Sequence, residues 1–203
     1  WQDLAANDYA RLGADSSEGG LREIVLVFEE LGRASCPAPM LGAVCANLTL
    51  RGSADAKAKD LLARLHAGKA AVGVAFGEYD GDVGAGKAAV KNGALEGEIA
   101  FVESAAVASD FLVFSGDTVS IASRGASGLS VSATPGLAVP PLSELKFAAT
   151  PVSSISASAQ SLRDVTLCAR LALAARALGA AQRTFDLAVE HAKRSEEHTS
   201  ELQ

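Results

Sequence analysis

The sequence predicts an α+β protein of several domains, in which helices come first, short strands follow and a long helix comes last. Residues 1–68 carry apolar side chains at the three- and four-residue spacing of a buried helix face. Residues 69–152 carry short apolar runs separated by Gly, Asp, Asn and Ser, and residues 153–193 return to helical spacing. This order favours an N-terminal helical domain, a middle antiparallel β-domain or small barrel, and the start of a helical bundle.

The clearest N-terminal helix follows the pair Gly19-Gly20. Its buried face is formed by Leu21, Ile24, Val25, Phe28 and Leu31. Pro37 and Pro39 prevent this helix from continuing, because proline lacks an amide hydrogen and clashes with the preceding turn. A further helix is expected over residues 54–66.

The middle segment contains candidate strands that no helical pattern separates. They cover residues 70–76, 95–103, 111–114, 117–122, 128–133 and 145–149. Asn92-Gly93 has the residue types of a two-residue hairpin turn, since both tolerate a positive φ. Strands this close together in the chain favour antiparallel pairing over alternating β/α units.

The final helix combines an apolar face with many small residues, which is typical of a helix enclosed by several others. Its apolar face is formed by Leu162, Val165, Cys168, Leu171, Ala175, Leu178, Phe185 and Val189. Too few residues follow to supply the partner helices, and the chain starts at Trp1 within a helix-like pattern. We therefore expect a piece of a longer protein with a truncated bundle.

The last residues, 194–203, differ abruptly from the Ala- and Leu-rich helix before them. Their sequence, RSEEHTSELQ, resembles a translated sequencing adapter, because one adapter reading frame encodes the whole string. We expect a non-native tail, with Lys193 as the last natural residue.

The composition excludes several classes of function. The formal net charge is −6 and Lys and Arg do not cluster, so neither nucleic acid nor an anionic membrane is an expected partner. No apolar run is long enough to span a bilayer. The cysteines Cys36, Cys45 and Cys168 have no Cys-x-x-Cys spacing. They predict reduced, buried thiols and no metal site, in a cytoplasmic protein.

Six segments resemble, in order, motifs of the acyl-CoA dehydrogenase family. Residues 23–34 (EIVLVFEELGRA) resemble a family helix that precedes a Pro-containing turn. The other segments are 65–69 at the entry to the middle domain, 75–78 in the flavin-binding strand, 95–102 and 108–113 in later strands, and 174–193 in the first long bundle helix. Together they extend over nearly all of residues 1–193.

The resemblance implies flavin-linked dehydrogenation of an acyl-CoA thioester, with FAD as cofactor and an electron-transfer flavoprotein as electron acceptor. In this family a carboxylate base removes the α-proton, and the β-hydrogen leaves as hydride to the flavin. The resemblance also implies a homo- or hetero-oligomer. The catalytic Glu lies beyond the matched segments, so we expect no catalytic residue and no dehydrogenase activity in this chain alone.

The resemblance places the flavin beside the ends of two strands. The implied cofactor-binding residues are Phe76, Gly77, Glu78, Phe101, Val102 and Glu103. Three positions depart from the family pattern: Gly77 replaces a Thr, Tyr79 replaces a Pro, and Glu103 stands where a small hydroxyl residue is usual. A carboxylate there disfavours an anionic reduced flavin.

Two alternatives compete with this interpretation. The departures suit a non-catalytic subunit of a heteromeric acyl-CoA dehydrogenase, in which one partner has lost flavin or base residues. Residues 81–88 (GDVGAGKA) nearly fit a phosphate-binding P-loop, but Ala88 replaces the required Ser or Thr and a helix should follow. Asp80 and Asp82 alone are weak evidence for a cation site.

Overall fold

The computed structural model describes residues 1–15, 17, 19–76, 86–115, 118–156 and 158–200. They form three layers: a group of helices, a four-stranded sheet and a second four-stranded sheet. The predicted α+β architecture is confirmed. The barrel alternative is wrong, since the strands that the structure describes form two separate sheets. None of the described helices is both long and apolar enough to cross a membrane.

The described N-terminal residues form short helices around a buried one. These are α1 (Gln2–Ala6), α2 (Leu21–Arg33), α3 (Met40–Leu50) and α4 (Ala56–His66), with a 3₁₀ turn at Tyr9–Arg11. The sequence pattern did not predict α3, because this helix is apolar on nearly all sides and has no amphipathic period. It begins directly after Pro39, which is its N-cap residue.

The described strands form two sheets, and each sheet combines strands that are not consecutive in the chain. The first sheet contains, in order, β1 (Val72–Phe76), β4 (Asp110–Ser115), β5 (Thr118–Ser123) and β8 (Ser153–Ser156). The second contains, in order, β2 (Gly86–Lys91), β3 (Ala94–Glu103), β7 (Leu142–Pro151) and β6 (Leu129–Ala133). The antiparallel prediction holds for the described pairs except β1 with β4, which is parallel because the chain passes through β2 and β3 in between.

The hairpin predicted at Asn92-Gly93 is confirmed. Both residues have positive φ, 51° and 78°, and they connect β2 to β3. Residues 86–91 form a strand where a P-loop requires a helix, so the P-loop alternative is wrong. Asp80 and Asp82 lie outside the described residues.

The long helix α5 (Ala159–Ser200) packs across α2. Glycine permits this close approach: a Cβ at Gly32 would overlap the backbone oxygen of Arg176, and a Cβ at Gly179 would overlap that of Glu29. The helix continues through residues 194–200, so the change in composition does not end it. The foreign origin of that tail and the domain boundaries stay predictions.

The first sheet separates two apolar cores. One face, which includes Val72 and Leu112, packs against the helices, and the opposite face, which includes Phe111 and Val113, packs against the second sheet. This alternation follows from the two-residue period of a strand. It brings β1 and β3, which carry the predicted site residues, into contact across the layers.

Candidate functional site

The predicted site residues that the structure describes lie at the ends of two contacting strands. Phe76 is the last residue of β1. β3 ends with Phe101, Val102 and Glu103. The two residues that lie outside the described part of the chain are Gly77 and Glu78.

A β-bulge near the end of β3 turns Phe101 toward solvent. The register with β7 shifts between Ile99 and Val102, and Phe101 has a left-handed φ of 61°. Phe101 is 59% exposed, whereas Val102 is 1% exposed in the core between the sheets. Because bulges commonly redirect a side chain beside a functional site, Phe101 is a candidate platform for a planar ligand.

The ring of Phe76 is already paired within the protein. It stacks on Phe114 of β4, with ring centroids 4.9 Å apart and planes inclined by 28°. Phe76 is half-buried, so one ring face packs internally.

Glu103 is bound by a cation from the long helix. Arg176 of α5 contacts both carboxylate oxygens: Nη1 lies 3.2 Å from Oε1, and Nη2 lies 2.5 Å from Oε2. The Arg176 side chain is 15% exposed and that of Glu103 is 8% exposed. Sequence reasoning missed this pair because its members are 73 residues apart, and nothing local marks Arg176 as a partner of β3.

Glu103 does not fit the edge of a bound flavin as a hydroxyl at this position would. A carboxylate cannot donate a hydrogen bond to the flavin acceptors, and both oxygens of Glu103 are bound by Arg176. The hydroxyl of the adjacent Ser104 has no described hydrogen-bond partner, but Ser104 is only 4% exposed. Phe101 is the described member of the predicted set that presents an exposed ring to a ligand.

The buried cysteines do not supply a nucleophile. Burial raises the pKa of the Cys45 thiol far above its usual range, with smaller contributions from Cys168 and Glu103. Burial also raises the pKa of Cys168. Protonated, buried thiols react slowly.

A separate cavity of about 910 Å³ lies between the N-terminal helices and the start of α5. Its walls include Ile24, Thr49, Arg51, Asp164 and Cys168, and none of the predicted site residues lines it. Within the described ranges, no group of three or more His, Cys, Asp or Glu side chains is placed to hold a metal ion.

Comparison with known proteins finds no matching family model and no matching curated protein. Solved structures do match. A variant of the steroid acyl-CoA dehydrogenase Tcur3481–Tcur3483 is 25% identical, with a TM-score of 0.75, over 92% of this chain and 55% of that chain. This chain adopts the acyl-CoA dehydrogenase fold.

Two further solved structures extend this result. The ChsE4–ChsE5 complex from Mycobacterium tuberculosis is 23% identical, with a TM-score of 0.71, over 94% of this chain and 56% of that chain. The glutaryl-CoA dehydrogenase structure with glutaryl-CoA is 19% identical, with a TM-score of 0.71, over 93% and 56%. The predicted resemblance is confirmed at the level of fold, and the chain spans a little over half the length of each of these proteins.

Proposed function

We propose that this chain is part of a subunit of an FAD-dependent acyl-CoA dehydrogenase. The supporting observation is the fold similarity to a steroid acyl-CoA dehydrogenase over 92% of the chain. The assembly removes hydrogen from the α- and β-carbons of an acyl-CoA thioester. Its electrons pass to an electron-transfer flavoprotein, in the cytoplasm, where reduced cysteines persist.

The proposed reaction divides between this chain and the rest of the assembly. When bound, the flavin supplies the hydride acceptor. This chain supplies the β-layers, the exposed ring of Phe101 and the helix α5 that packs against α2. As the family resemblance implies, we propose that another part of the assembly supplies the carboxylate base and that the chain alone is inactive.

A second candidate function is a non-catalytic subunit of a heteromeric dehydrogenase. The buried Glu103–Arg176 pair favours it, because the carboxylate stands where the resemblance places a hydroxyl beside the flavin. Two of the similar structures, Tcur3481–Tcur3483 and ChsE4–ChsE5, are named for two components. In this version the partner subunit supplies the flavin contacts and the base.

The test uses the full-length natural subunit, purified alone and together with any partner that co-purifies. Turnover is measured with a panel of acyl-CoA thioesters and an electron-transfer flavoprotein as acceptor, and the flavin content is measured in parallel. A catalytic subunit contains flavin and turns over alone, whereas a non-catalytic subunit needs its partner for both. A well-folded assembly that has neither flavin nor turnover refutes both candidates.

A further inference from the structure

The Glu103–Arg176 pair connects the second sheet to the long helix α5. Glu103 ends β3 in the second sheet, and Arg176 lies in the middle of α5. Both carboxylate oxygens are used, and both side chains are nearly buried. A two-point contact of this kind fixes the orientation of both partners.

The Glu103–Arg176 pair lies where the resemblance implies a bound flavin. The resemblance places the flavin edge at the end of β3, beside Phe101 and Glu103. We propose that the Glu103–Arg176 pair, which we call the clamp, occupies that place. By joining α5 to β3 there, the clamp excludes flavin from this chain's own cofactor site. This proposal rests on the second candidate function and deepens it.

The physical reason is the difficulty of opening the pair. A ligand edge that enters beside Glu103 must separate two nearly buried charges, and a neutral ring edge compensates neither of them. The other described members of the set do not offset this loss, because the ring of Phe76 stacks on Phe114 and Val102 is buried. The exposed ring of Phe101 remains as an apolar surface and does not compensate for the separated charges.

The first measurement tests the clamp. Thermal unfolding of the 203-residue chain is compared for the wild type, Glu103→Thr, Arg176→Ala and the double variant. Each single variant leaves one buried charge unpaired and should lower Tm by on the order of 10 °C, while the double variant recovers part of the loss. Additive effects of the two substitutions would overturn the clamp.

The matched control for the clamp lies on the same strand. Glu98 of β3 pairs with Lys146 at 3.4 Å, but both side chains are more than half exposed. The variants Glu98→Thr and Lys146→Ala should shift Tm little, because exposed pairs contribute little to stability. If Glu103→Thr with Arg176→Ala does not fold, Glu103→Gln with Arg176→Met removes the charges with less change of shape.

The second measurement tests exclusion, by titrating each chain with FAD and following flavin fluorescence and Tm. We expect no saturable binding to the wild type, and saturable binding with a rise in Tm for the double variant. Stoichiometric FAD binding by the wild type overturns the proposal, and so does a folded double variant that gains no binding. If the full assembly has no dehydrogenase activity, the proposed function is refuted. The unfolding and FAD-binding results for the clamp do not depend on that activity.

Discussion

Two buried polar side chains at the junction of helices and sheet, Asp110 and Asn47, are held by several hydrogen bonds each. The Asp110 carboxylate is 3% exposed and accepts from Arg64 Nη1 at 2.9 Å, Ser109 Oγ at 2.8 Å and Ser123 Oγ at 3.3 Å. Asn47 is fully buried and donates to the backbone oxygens of Ala10 and Leu12. Such groups stabilise the fold only while every partner remains.

Removal of the buried carboxylate at Asp110 should be costly. Asp110→Ala leaves Arg64 without its buried partner, so we expect the free energy of unfolding to fall by about 3 kcal/mol in urea titrations. Asp60→Ala is the control, because Asp60 binds the same Arg64 at 2.8 Å but is 65% exposed. The control should lose about 0.5 kcal/mol, and equal losses would contradict the structure at this site.

The buried thiols predict a loss of stability at alkaline pH. The pKa of Cys45 is raised by burial above its ordinary value of 9.0, so the unfolded chain releases this proton before the folded chain does. The contribution of the Cys45 thiol to the free energy of unfolding is therefore complete below about pH 9. It declines as pH rises further, by up to about 1.4 kcal/mol per pH unit. Denaturant titrations between neutral and alkaline pH should show a shallower decline for Cys45→Ala; an unchanged slope would contradict this.

Local residue chemistry was visible in the sequence, whereas long-range partners were not. Asn92-Gly93 could be predicted as a hairpin turn because its residue types specify positive φ. The contact of Arg176 with Glu103 spans 73 residues, and that of His66 Nε2 with Asn47 Oδ1, at 2.8 Å, spans 19. Only the fold brings these groups together, so the candidate site was predictable as strand ends but not as a closed ion pair.

Among the elements, the close packing of α5 on α2 depends on glycines, which have no side chain at the contact. A Cβ at Gly32 would overlap the backbone oxygen of Arg176, the residue that holds Glu103. The crossing therefore also positions the cation of the clamp.

Gly32→Ala should separate packing from helix propensity. Alanine favours an isolated helix by about 1 kcal/mol, but overpacking of the crossing should make the net change in free energy of unfolding a loss of about 1–3 kcal/mol. Glu30→Ala on the exposed side of α2, where Glu30 is 72% exposed, should change it by about 0.5 kcal/mol or less. A stabilised Gly32→Ala in urea titrations would contradict the close crossing.

The sequence pattern missed β2 and α3 because each lacks the local signal of its type. β2 contains Gly86 and two adjacent alanines, Ala88 and Ala89, so it lacks the β-branched run of a typical strand. α3 lacks an amphipathic period because it is buried. The parallel pair of β1 with β4 depends on where β2 and β3 pack, which no local pattern specifies.

At the scale of the whole molecule, the helical layer leaves apolar surface uncovered along α5. The exposed large residues there are Leu167, Leu171, Leu173, Leu178, Phe185 and Leu187. Leu167, Leu171, Leu178 and Phe185 recur at spacings of four and seven residues, so they share one side of α5. An exposed apolar stripe of this length promotes association.

The 203-residue chain should therefore self-associate. Sedimentation velocity at increasing protein concentration should show larger species for the wild type and a shift toward monomer for Leu178→Glu with Phe185→Glu. Arg183→Glu, on the same helix, alters charge without removing apolar surface and serves as the control. A wild-type chain that stays monomeric at every concentration would contradict this expectation.

The most direct test of the acyl-CoA dehydrogenase assignment is an anaerobic titration of the purified full-length assembly with acyl-CoA thioesters. The flavin absorbance band should be lost in proportion to the acyl-CoA added, because hydride transfer reduces the flavin, and free CoA should leave the band unchanged. A folded, flavin-containing assembly whose band no acyl-CoA in the panel diminishes would contradict the assignment.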